Sequence, residues 1–417
     1  MDGAAPAGLI WRVPAVSPRL RYVLEVIWGR WLSVPYRIVP AAEWPSFSVP
    51  TGWRIVSYGT SHLGAADLTV PYSGFIEAEG TAFCLPTWDE GGFFPGEGDF
   101  RWDLPAMAFY VLTLYPLYEW PYGYDQWGLY AWHRAPFYQA PFWREPFLLV
   151  RALELLDRLS WRWPKPPFHW EIGWDIDHLF AFRGRGDLRW WLGGFRRRDL
   201  LYRLQVRLGR LPDPYDTLEA LIKTFPPAHS RFFFLLSRRH RLDSLVSPRH
   251  PALQAAIQRL HERGYPVGIH PSYESRDLPH LLQQEKALLE KYLGQPVTFS
   301  RQHYLRYRWP DLLVHLEQAG LHEDYTLAFP ERSGFLLGTT LPVPAYRVDR
   351  EREGPVILWG PALMDQVYLR RGDRAGLHAE MRRLFEVVEK TGGVLHFIWH
   401  NSTYAELPKA LFEERLT

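Results

Sequence analysis

From about residue 168 onward the chain alternates short apolar runs with amphipathic segments that end at glycine, and this alternation limits that part to a parallel sheet or barrel. Phe168-His-Trp-Glu-Ile172 reads as the first strand of the set, and Arg231-Phe-Phe-Phe-Leu-Leu236 is a continuous apolar run of the kind buried on both faces. Leu253, Ile257 and Leu260 mark a helix closed by Gly264, and Val267-Gly-Ile269 is a strand that ends at His270. A helix between Leu278 and Tyr292 is closed by Gly294, after which Val297-Thr-Phe-Ser300 leads to Arg301. Pro310 opens a helix that Gly320 closes, and Tyr325-Thr-Leu is the next short strand. Val356-Ile-Leu-Trp359 precedes Asp365, a helix spans about 373–390, and Val394-Leu-His-Phe-Ile398 runs into His400.

In parallel folds the edge at the C-terminal ends of the strands carries the site. Asp175, Asp177, His270, Arg301, His303 and His400 all fall at or just past such ends, and Asp365 lies a few residues further on. Asp175 and Asp177 are two apart in Gly-Trp-Asp-Ile-Asp, so on an extended chain they face the same way. Two such acids repel unless a cation or a shared proton sits between them. The pair therefore reads as one metal-ligating and one basic carboxylate, the alternative being a solvated loop or a helix N-cap.

At 417 residues the chain is long for one core, so two domains are expected. A hydrophobic content of 47% marks it as globular. The net charge of +2 argues against a nucleic-acid or membrane partner. Arg183 to Arg210 holds nine arginines against two aspartates; it reads as a solvated helical face, with a grip on phosphate or an anionic polymer as the alternative. One cysteine, Cys84, leaves no internal disulfide and suits a reducing compartment. The first residues lack the basic and apolar pattern of a signal peptide, and the uncharged run Leu104 to Tyr118 is too short to span a bilayer, so a cytoplasmic protein is expected.

The first part shows helical spacing over residues 20–31, strands at Tyr36–Val39 and Arg54–Tyr58, and a helix from Met107 to Tyr118. The aromatic cluster from Trp120 to Trp143 could stack on sugar rings, but such residues more often fill a core or an interface. A helix from Phe147 to Leu159 precedes the stiff connector Trp163-Pro-Lys-Pro-Pro167. The expected division is an aromatic-rich α+β domain of unknown role at 1–163 and an α/β domain at 164–417.

Gly-Trp-Asp-Ile-Asp, Gly-Ile-His-Pro-Ser-Tyr, Ser-Arg-Gln-His-Tyr and Phe-Ile-Trp-His-Asn, in this order, resemble the successive motifs of the polysaccharide deacetylase (NodB-type) superfamily of metal-dependent carbohydrate esterases. The resemblance covers roughly residues 165–417; with its first domain, the whole chain resembles a bacterial subgroup of such proteins. It implies a distorted (β/α) barrel with fewer than eight strands, a divalent metal (zinc first, cobalt or nickel as alternatives) and hydrolysis of N-acetyl groups on an amino sugar or glycan. By the same resemblance Asp175 falls on the catalytic base, Asp177 on the metal-ligating acid and His270 on the first metal histidine. Arg301 falls on the arginine that orients the base, Tyr304 on the residue whose backbone N–H helps hold the oxyanion, His400 on the general acid, and Asp365 on its acidic partner.

The chain departs from the family in two places. Where a second metal histidine is expected four residues after His270 it has Glu274, and where the third motif has proline it has His303. The third ligand is expected from His303 rather than Glu274. Two other readings stay open: a non-catalytic carbohydrate-binding protein on the same fold, and an amidase for a small non-sugar substrate. The oligomeric state is open too.

Overall fold

A computed structural model describes residues 6–183, 197–244 and 246–416 of the chain. Part of the arginine-dense stretch, 184–196, lies outside the described residues. The chain divides into two compact units. One comprises Met1–His169, Gly334–Gly360 and Phe385–Val394, the other Trp170–Ser333, Pro361–Leu384 and Leu395–Thr417.

In the first unit β1 (Gly8–Val13), β2 (Tyr36–Pro40), β3 (Trp53–Tyr58) and β4 (Leu68–Val70) form a wholly parallel sheet in the order β2-β1-β3-β4. The expectation here was α+β; a crossover helix, Pro18–Leu24, capped by the Ser17 hydroxyl accepting from Leu20 N–H at 3.1 Å, carries the chain from β1 to β2 and makes the sheet parallel. β1 itself escaped the sequence reading because an arginine interrupts its apolar run. Arg12 is fully buried, and its guanidinium donates to Thr60 Oγ1, Ser57 Oγ and the Gly64 carbonyl, so the cation is solvated by the end of β3 and the loop after it instead of by water. The helix expected at Met107–Tyr118 runs from Leu104 to Leu112, capped by Asp103, and ends where Leu114 turns left-handed (φ 48°) ahead of Pro116. Phe137, Phe142 and Trp143 are buried, with Phe93 and Phe142 ring centroids 5.0 Å apart, so this part of the aromatic cluster is core.

The second unit holds β5 (Phe168–Ile176), β6 (Ser230–Phe234), β7 (Val267–Ile269), β8 (Phe299–Ser300) and β9 (Glu323–Asp324). After β9 the chain gives an antiparallel hairpin, β10 (Val343–Arg347) and β11 (Arg352–Leu358), to the first unit and returns for β12 (Leu363–Met364) and β13 (Gly393–His400). The order in the second unit is β9-β8-β7-β6-β5-β13-β12, a curled half-barrel, with the pairs from β5 through β9 and the pair β12–β13 parallel. Helices Pro251–Glu262, Pro279–Leu293 and Asp311–Gln318 connect successive strands and bury leucine faces, among them Leu253, Leu260, Leu289 and Leu313. β5 is longer than its sequence suggested: Ile172 to Ile176 pair with Ser230 to Phe234 of β6, so Asp175 stands inside the strand and only Asp177 lies beyond it. Because neighbouring strands run the same way, their C-terminal ends collect on one edge.

Candidate metal centre and active site

Asp175 is buried near the end of β5, and Arg301, one residue past β8, donates to its Oδ1 from Nη1 at 2.7 Å. The same guanidinium donates to the carbonyls of Gly173 (3.2 Å) and Tyr325 (3.2 Å) and lies 4.1 Å from the Phe233 ring centroid. Gly173 has a steric reason to be glycine, since a Cβ there would collide with the guanidinium. Asp175 thus keeps one oxygen tied to a fixed cation and turns the other, Oδ2, toward His270 Nε2 at 3.8 Å.

His270 follows β7 directly and its Nδ1 lies 2.5 Å from the Arg301 carbonyl. A carbonyl only accepts, so Nδ1 carries a proton and Nε2 is the nitrogen turned outward. Nε2 faces Asp177 Oδ1 at 3.2 Å. His303, two residues beyond Arg301, places its Nε2 3.6 Å from Asp177 Oδ2. Asp177, His270 and His303 therefore converge, with one ligand atom from each lying within 4.8 Å of the others. Two imidazoles and one carboxylate converging in this way form a set that could hold a zinc-type ion with a position left for water.

The electrostatics record the same convergence. Burial would raise the Asp177 carboxyl, but the imidazoles of His303, His270 and His400 hold it well below the usual carboxylate range. Burial would lower His303, yet Asp177 and Asp243 push it up to about 9.

His400, the last residue of β13, also approaches Asp177, with Nε2 3.7 Å from Asp177 Oδ2. Its Nδ1 donates to Asp365 Oδ1 at 2.7 Å, and its backbone N–H donates to Asp365 Oδ2 at 3.1 Å. Asp365 is fully buried directly after the short strand β12 and also takes hydrogen bonds from Gln366 N–H and the Thr403 hydroxyl. Burial works against a charged His400, but Asp365 outweighs it, with Asp177 and Asp175 adding to the effect, and the ring is lifted to about 10. An imidazolium fixed at Nδ1 presents an acidic N–H at Nε2 to whatever occupies the centre.

Glu274 lies apart. Its carboxylate is 38% exposed and 3.9 Å from Arg239, and it is outside the converging group. Tyr304 lies on the turn after His303, its ring 4.7 Å from that imidazole. Tyr304 (φ 62°) and Leu305 (φ 53°) are consecutive non-glycine residues in the left-handed region, a strain of roughly 1–3 kcal/mol each that tends to persist at functional sites.

Two buried acids were missed. Asp243, in the loop after β6, accepts from Ser237 Oγ (2.9 Å), His240 N–H (3.0 Å) and Tyr273 N–H (3.0 Å), and its Oδ1 is 3.8 Å from His303 Nδ1. Glu285, on helix Pro279–Leu293, accepts from Ser272 N–H at 2.9 Å, and burial first of all pushes its carboxyl up to about 7. The rule that selected the other residues, an acid shortly past a strand end, would have reached Asp243 had it been extended beyond the first turn of loop.

The family model described as a family of unknown function (DUF7033) matches residues 9–164. No curated protein matches the chain. Solved structures to which it is similar include a presumptive polysaccharide deacetylase from Mycobacterium smegmatis, at 14% identity over 61% of this chain and 84% of that one with a TM-score of 0.39. A second is the polysaccharide deacetylase Bc1974 from Bacillus cereus, at 10% identity over 60% and 88% with a TM-score of 0.32. A third is a mutant of BA3943, a CE4 family pseudoenzyme with restored enzymatic activity, at 12% identity over 62% and 69% with a TM-score of 0.31.

Proposed function

We propose that the chain is a metal-dependent hydrolase that removes N-acetyl groups from an amino sugar or glycan, with its chemistry in residues 164–417. The observation that carries the reading is one buried point with three kinds of group around it. These are the ligand set Asp177, His270 and His303, a carboxylate held by Arg301, and an imidazole held by Asp365. A divalent cation in the ligand set would acidify a water and polarise the acyl oxygen. Asp175 is then the base that takes the proton of the attacking water, since Arg301 fixes one of its oxygens and leaves the other facing the centre. His400 delivers a proton from Nε2 to the departing amine, and Asp365 holds the ring in the orientation that allows it. The backbone at Tyr304 supplies the N–H for the developing oxyanion.

The test is metal analysis of the purified protein together with acetate release from N-acetylhexosamine oligomers. One equivalent of divalent metal and released acetate are expected. Protein without metal that frees no acetate would sink the reading; release only from small non-sugar amides would assign an amidase; saccharide binding without hydrolysis that survives Asp175→Asn would assign a binding protein. Asp175→Asn should retain the metal and lose turnover by roughly 10²–10⁴-fold. Asp177→Asn should lose the metal itself, and equal metal loss in both variants would show that the two roles are shared or reversed.

Among the described residues no helix is long and apolar enough to cross a membrane.

A further inference from the structure

We infer that Asp243 is the positioning residue for His303: it receives the Nδ1 proton of that ring and so turns Nε2 into the centre. The inference rests on the reading of His303 as a ligand. A histidine that binds a cation through Nε2 keeps its proton on Nδ1, and that N–H needs an acceptor when it is buried. For His270 the acceptor is the Arg301 carbonyl. His303 is 3% exposed and its Nδ1 has no hydrogen-bond partner in this structure. Asp243 Oδ1 lies 3.8 Å away, so closing by about 1 Å would make an ordinary charge-assisted hydrogen bond.

Asp243 is built to stay where it is. It is 1% exposed, and its Oδ2 is held by the Ser237 hydroxyl and by His240 N–H, which leaves Oδ1 to Tyr273 N–H and to the imidazole. Those partners come from the loops after β6 and β7, while His303 comes from the loop after β8. One carboxylate therefore fixes the spacing of three neighbouring loops on the site's edge. The left-handed backbone at Tyr304 and Leu305 bends the chain directly after His303, and the ring is thereby held from its backbone as well as from Nδ1.

The experiment measures zinc(II) and cobalt(II) affinity by chelator competition for the wild type, Asp243→Asn, His303→Ala and the double variant, with Ser237→Ala as a control. Ser237→Ala removes a hydrogen bond on the side of Asp243 away from His303. Asp243→Asn should weaken zinc binding by about 10–100-fold, the usual effect of losing such a partner. In the His303→Ala background the same change should alter affinity by less than about twofold, the error of additivity between independent sites. Ser237→Ala should do much less than Asp243→Asn. A second readout needs no affinity: with ¹⁵N-labelled histidine, the zinc-loaded wild type should show a protected Nδ1–H for His303 that Asp243→Asn removes while that of His270 persists. An equal loss of affinity in both backgrounds would mean that Asp243 supports the fold and not the ring, and an unchanged Nδ1–H signal would overturn the proposal outright. If His303→Ala leaves zinc affinity intact, the ligand assignment fails first and takes this inference with it. That result differs from a wild type that binds no zinc, which would defeat the hydrolase reading as a whole.

Discussion

Replacing His400 by alanine is expected to lower turnover by roughly 10²–10⁴-fold, the usual contribution of a general acid, while metal content stays near one equivalent. The expectation comes from the ring's two ends. Nδ1 is committed to Asp365, and Nε2 lies 3.7 Å from Asp177 Oδ2 at the centre. A histidine that merely filled space at the end of β13 would give a different result, a loss of stability with turnover intact in the folded fraction. The pH profile supplies a second check. A general acid works protonated, so activity is lost as pH rises through its pKa, and Asp365 is the largest influence raising that pKa. Asp365→Asn removes that charge, lowers the pKa, and should move the alkaline limb of the turnover profile to lower pH. An alkaline limb at the same pH in the wild type and Asp365→Asn would show that some other group titrates there.

The site was more legible in the sequence than the fold around it, and the reason is local geometry. A strand end is marked by a few residues, and parallel strands put their ends together whatever their order, so Asp175, Asp177, His270, Arg301, His303 and His400 could be placed on one edge without knowing which strands are neighbours. The strand order, with β13 and β12 set beside β5, depends on long-range pairing that no local pattern encodes. β12 is two residues long, too short to show a period, and so Asp365 seemed to lie further from a strand end than it does. β1 was hidden by Arg12, a buried cation whose acceptors are distant loop carbonyls and hydroxyls. Gly173 gave no signal of its own in the sequence; a Cβ there would meet the Arg301 guanidinium that lies against β5. The roles proposed for base, acid and ligand rest on the motif resemblance, because spacing alone left the two aspartates interchangeable.

His303→Ala is expected to weaken metal binding by more than the roughly 10–100-fold that follows loss of an outer partner, because it removes one of the three proposed protein ligands. Glu274→Ala should leave metal content unchanged. The two residues compete for one job: Glu274 occupies the place where the motif resemblance puts a histidine, whereas His303 stands at the end of the neighbouring strand. Their surroundings differ. His303 is buried with Nε2 turned to Asp177 Oδ2, and Glu274 is partly exposed and turned to Arg239. A carboxylate already facing a cation at the surface gains little by leaving it, and bringing it inward would add a third negative group beside Asp175 and Asp177, which repel it. A buried imidazole facing a carboxylate has the opposite tendency: without a cation it can satisfy that oxygen only by taking a proton. Metal content measured on both variants decides between them. If Glu274→Ala empties the site and His303→Ala leaves it filled, the loop after β7 moves inward when metal binds and the ligand set is Asp177, His270 and Glu274. If both variants stay filled, Asp177 and His270 hold the ion without a third side chain, and His303 instead faces the substrate.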